Sequence, residues 1–93
     1  MRSPVDIADG IAQFEDYAHL TSVDPAKRRF RFYNLGWQRT LWGQDALVCR
    51  WGRIGAVGKW QASLYPDRAS ARETIARVIR RRLQHKYRVV DWR

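Results

Sequence analysis

The chain has 93 residues, with 18 Lys and Arg against 9 Asp and Glu, a net charge of +9 and a pI near 10.8. That length makes a single domain with a modest core, and a 45% hydrophobic fraction with five tryptophans excludes global disorder. No run approaches the ~18–20 apolar residues of a membrane span, and the lone Cys49 excludes an internal disulfide framework.

Residues 1–13 contain Pro4 and Gly10 without a sustained period and read as a loosely held arm, leaving 14–93 as the domain. Met1-Arg2-Ser3-Pro4 leads into Asp6 and Asp9 rather than an apolar stretch, so no signal peptide is expected. Phe14 to Val23 is predicted as a first strand, closed by the turn signal Asp24-Pro25. Arg28 to Trp37 follows as a second, with Phe30 and Phe32 on one face and Tyr33, Leu35 and Trp37 on the other. A strand apolar on both faces belongs inside a sheet, or carries a bulge where the pattern switches.

Ala46 to Arg53 and Lys59 to Tyr65 form a predicted hairpin, with Gly55 and Gly58 framing its loop. If the loop spans 54–58, Arg53 faces Lys59 and Trp51 faces Gln61. One sheet face then shows Trp51, Arg53, Lys59, Gln61 and Ser63; the other shows Val48, Trp60, Ala62 and Leu64 and is expected to be the core. Asp67 is the expected cap of a helix whose apolar stripe is Ala71, Ile75, Val78, Ile79 and Leu83, with Arg77, Arg80 and Arg81 opposite. Arg82 lies near the stripe, placed to bury its stem and keep its head in water. Tyr87 to Asp91 is a short last strand.

Arg50-Trp51-Gly52-Arg53-Ile54-Gly55 is the most informative stretch. Alternation puts Trp51 and Arg53 on one face, and Gly52 between them lets a neighbour approach the backbone or the strand kink. A flat ring beside a planar cation suits a ligand with a flat or sugar-like surface and a negative charge, such as a nucleic acid terminus. The charge agrees: no acid lies between Glu73 and Asp91, so the C-terminal third is cationic and favours polyanions. Neither a nucleophile–base pairing nor a phosphate-binding glycine loop is evident, so no enzyme is expected. His19, His85 and Cys49 do not have metal-ligand spacing, and no cofactor is expected. One cysteine fits a reducing, cytoplasmic setting.

These residues, with Gly58, the aromatic strand at Phe30, Phe32 and Tyr33, the helix containing Ala71, and Lys86-Tyr87, resemble the WGR domain over roughly residues 14–91. The resemblance implies an α+β fold, an antiparallel sheet of four to five strands with one long helix packed across one face, in keeping with the predicted element order. WGR domains occur in poly(ADP-ribose) polymerases, where they bind DNA ends, and as small stand-alone bacterial chains, some described as regulators. The length leaves no room for a polymerase catalytic domain, so the stand-alone bacterial kind is the expectation. By resemblance, Trp51 and Arg53 contact the terminal nucleotide of a break. Bacterial members often place Gly before the tyrosine that follows the helix; here His85-Lys86 stand there, and no role is carried to Tyr87.

The resulting expectation is a non-catalytic DNA-binding module with weak sequence preference. Trp51 stacks on a terminal sugar or base beside Gly52, Arg53 and Lys59 pair with phosphate, and Arg50 and Lys86 extend the surface. The bland alternatives make Trp51 core, pair Arg53 with Asp45 or Asp67, and leave the outer helix arginines solvated. Trp60 is expected in the core. A rival function is a protein-interaction module that offers the same Trp51 face to an acidic partner. Neither a membrane nor a small-molecule substrate is expected as a partner.

Overall fold

The computed structural model describes residues 14–93; the predicted arm at 1–13 lies outside the described residues. Five strands, β1 (Tyr17–Asp24), β2 (Arg29–Arg39), β3 (Asp45–Arg53), β4 (Lys59–Tyr65) and β5 (Arg88–Trp92), form one antiparallel sheet in the order β4-β3-β2-β1-β5. The first four make a meander. A 3-10 turn (Ala69–Ala71) then leads into helix α1 (Arg72–Gln84), which carries the chain from the β4 edge to the β1 edge, where β5 pairs. That crossing obliges α1 to cover one face of the sheet.

The predicted stripe is the buried one. Ala71, Ile75 and Ile79 pack on Leu35 and Leu47, ringed by Phe14, Trp37, Cys49, Tyr65, Leu83 and Trp92. Fully burying a side chain such as Leu35 or Ile79 contributes ~1.5–3 kcal/mol. The Asp67 carboxylate accepts the Ser70 backbone N–H and hydroxyl, which ties the turn ahead of α1 and holds the Asp67 pKa low. The N-cap position of α1 expected for Asp67 is taken by Ala71, because a 3-10 turn intervenes. At the other end, the Tyr87 N–H donates to the Arg82 carbonyl and the Lys86 N–H to that of Leu83, with Lys86 left-handed at φ 68°. This is a Schellman closure, in which glycine usually occupies the position taken here by Lys86.

The expected hairpin register and the expected core face both need correction. Trp51 lies opposite Lys59 and Arg50 opposite Trp60, a shift of two residues that preserves which side chains share a face. The covered face is the one bearing Trp51, Gln61 and Ser63, because β2 presents Tyr33, Leu35 and Trp37 there and β3 presents Leu47 and Cys49. Trp60 and Leu64, expected in the core, are 67% and 61% exposed on the uncovered face. Strand parity separated the two faces correctly, but the neighbouring strands decided which one the helix covers.

Candidate nucleic-acid interface

The motif glycines bring the β3–β4 hairpin together. A Cβ on Gly58, whose φ is +78°, would lie 2.3 Å from the Trp51 carbonyl oxygen, and one on Gly52 would lie 2.9 Å from the Gly58 Cα. What approaches Gly52 is therefore the far arm of its own hairpin. Beyond it, the Ala56 N–H donates to the Arg53 carbonyl, and Gly55 supplies the positive φ of 93° that this turn needs.

Trp51 sits opposite Tyr33 on the helix-covered face, and the two rings stack 6.0 Å apart at 16°. Both line a hollow of about 390 Å³ between the sheet and α1, whose wall also includes Cys49, Gln61, Ser63 and Arg82. The half-buried Arg82 guanidinium lies 5.0 Å from the Tyr33 ring centre and 5.6 Å from that of Tyr87, and its Nε has no hydrogen-bond partner among the described residues. Burial, reinforced by the adjoining Cys49 thiol, pushes the Tyr33 hydroxyl pKa upward. Burial also raises that of Cys49, so both stay neutral and Arg82 is the charge in the hollow.

The other expected site residues divide. Lys59 is exposed beside Trp51 across the β3–β4 pair. Arg53 is exposed, but it does not line the hollow; its guanidinium lies 5.7 Å from the Phe30 ring centre. Arg50 is on the uncovered face, 5.1 Å from the centre of Phe32. Lys86 stands at the helix exit, next to Tyr87. The alternative ion pairs of Arg53 are not formed: Asp45 pairs with Arg39 at 3.8 Å and Arg68 at 3.1 Å, while Asp67 is engaged by Ser70.

Sequence reading missed Tyr33 as a site residue and left Arg82 as a packing stem. A signal for Tyr33 existed in the aromatic strand Phe30, Phe32 and Tyr33 that carries the family resemblance, but only the register pairs it with Trp51.

Charge is segregated along the strands. The end holding the start of β1 and β3 and the finish of β2, β4 and β5 carries Asp16, Asp45, Asp67 and Asp91. Arg68 bridges Asp16 and Asp45 there, and Arg93 meets Asp91 at 3.0 Å. At the opposite end Asp24 is the single strand-end carboxylate among the described residues, matched by Arg29 at 3.6 Å. Arg31, Arg53, Lys59 and Arg88 at that end form no ion pair among the described residues. The second half of α1 brings Arg82 toward the same end, since Val78 and Arg82 line the hollow with Tyr33 and Trp51 and the Arg82 guanidinium lies over Tyr33.

Fold and site together define a small α+β module that presents an aromatic hollow on a cationic sheet end. The WGR domain family model matches residues 17–91, nearly all of the described chain, and the chain belongs to that family. Comparison with curated proteins returned no match. WGR domains are small non-catalytic domains, known in poly(ADP-ribose) polymerases as nucleic-acid-binding modules. No helix among the described residues is long and apolar enough to cross a membrane.

Proposed function

We propose that this chain binds DNA, with preference for strand ends, through the cationic end of its sheet. The observation that carries this reading is Trp51 held against Tyr33 in a hollow whose charge is Arg82, with Lys59 alongside. A terminal sugar or base stacks on the exposed part of Trp51, where each stacked base contributes ~1–3 kcal/mol. Arg82 and Lys59 take the adjoining phosphates, and Arg53 and Lys86 extend the contact along the backbone. Arg50, on the other face, is left out of this surface. Base edges are not read, so sequence preference is weak.

The test is a titration with blunt, nicked and covalently closed circular duplex and with RNA, each at two salt concentrations. Tighter binding to linear and nicked DNA than to the closed circle supports the reading. Equal affinity for every DNA form removes the preference for ends. No binding to any of them at low salt overturns the assignment in favour of an acidic protein partner on the same face.

A further inference from the structure

We propose that β4 is a self-pairing edge through which two copies of this chain join into one continuous ten-stranded sheet. The two sheet edges differ. β5 is short, carries Arg88 and Asp91, and pairs across a register shift at His19/Leu20 of β1. Charge and irregularity of this kind keep an edge from recruiting another strand. β4 has none of that protection: in Lys59-Trp60-Gln61-Ala62-Ser63-Leu64-Tyr65 the sole charge is the first residue, and the strand is regular over all seven positions.

Its sequence is also complementary to itself. Antiparallel pairing about a two-fold axis through Ala62 puts Trp60 opposite Leu64 of the second copy, and Leu64 opposite the second copy's Trp60. Directly opposed residues share a face, so all four side chains meet on the uncovered face. Trp60 and Leu64 are there 67% and 61% exposed in the single chain. The residue on the axis is the small Ala62, which lets the two larger pairs close on either side. Gln61 meets Ser63 on the other face, where both can hydrogen-bond. Lys59 falls opposite Tyr65 of the second copy, so the one charge of the strand meets no like charge across the seam.

One strand pair buries less than a standard interface, so association is weak and depends on concentration. Two copies at +9 each repel one another. Salt screens that repulsion and strengthens the pairing, whereas it weakens DNA binding. The two processes therefore respond to salt with opposite sign and can be told apart.

The experiment is sedimentation velocity on the full chain from about 5 μM to about 500 μM, the range where so small an interface associates. The expected result is a mass rising from 11.0 kDa toward twice that, more steeply at higher salt. Trp60→Glu and Leu64→Lys should each remain monomeric alone, with circular dichroism and melting temperature near those of the parent because both positions are exposed. Mixed together they should associate, since each mixed pair sets Glu against Lys on one side of the axis and Leu against Trp on the other. A parent that stays monomeric throughout overturns the proposal, as does a dimer that survives in both variants. A mixture that fails to associate overturns the register and with it the self-pairing edge.

Discussion

Tyr33 and Trp51 face each other across β2 and β3, their rings 6.0 Å apart and 16° from parallel, on the face that α1 covers. Trp51 thus belongs in part to the packing and in part to the surface, and its substitution should register in both. Trp51→Ala is expected to cost about 1–3 kcal/mol, below the ~3–5 kcal/mol of a fully buried Trp. At this chain length each kcal/mol lowers the melting temperature by roughly 4–8 °C. Trp51→Phe should keep most of the stability and of the binding to DNA ends. An unchanged melting curve for Trp51→Ala would remove the ring from the packing, and unchanged end affinity would remove it from the site.

Arg82 and Arg81 are adjacent in sequence but differ in setting. Arg81 is exposed on the outer side of α1, while Arg82 lies over Tyr33 and Tyr87 in the hollow. Arg82→Ala should weaken binding to DNA ends by at least tenfold, about the effect of one lost charge-assisted contact. Arg80→Ala and Arg81→Ala should produce small losses, alike for all DNA forms. Arg82→Lys should not restore affinity, because an ammonium lacks the planar surface that lies on the tyrosines. Equal losses for the three alanine variants on every form would reduce the domain to a generic cationic surface.

Salt dependence counts the phosphates engaged. With Arg53, Lys59, Arg82 and Lys86 in contact, log affinity should fall against log salt with a slope of about −3.6. That amounts to roughly a 150-fold loss between 50 and 200 mM salt by the same relation. Arg50→Ala should leave the slope unchanged, since Arg50 lies over Phe32 on the other face. Titrations of parent and variant at four salt concentrations decide this; a shallower slope in Arg50→Ala would mean that the uncovered face also meets DNA.

Gly58 and Gly55 both have positive φ, at 78° and 93°, but only Gly58 also meets backbone. Gly55→Ala should cost about 1–2 kcal/mol, the penalty of the left-handed region for a residue with a Cβ. Gly58→Ala adds the approach to the Trp51 carbonyl and should cost about 3 kcal/mol or more. Chemical denaturation of the two variants gives the comparison, and equal losses would show that the hairpin relaxes around the added methyl.

Lys86→Gly should change stability and binding in opposite directions. Glycine relieves the left-handed backbone at φ 68° and is expected to stabilise the fold by about 0.5–1 kcal/mol. Removing the cation should make the salt slope shallower by about 0.9. A destabilised variant would mean that the lysine stem contributes packing that outweighs the backbone strain.

By itself the sequence determined the local features. Alternation marked β4 at Lys59–Tyr65, with both bounds as found, and sorted Trp51, Gln61 and Ser63 from Trp60, Ala62 and Leu64. Helical spacing picked out Ala71, Ile75 and Ile79 for burial, and the motif residues pointed to the family that the match over 17–91 establishes. Local periodicity says which side chains share a face, but not what covers that face. That was decided when α1 crossed from the β4 edge to the β1 edge and packed on Leu35 and Leu47, which turned Trp51 inward and left Trp60 exposed. The register likewise set Tyr33 against Trp51, and the fold of α1 over the sheet brought in Arg82 from the far end of the chain. Contacts between residues so distant in sequence depend on strand order and on the path of the connection, and neither is written in the spacing of any one element.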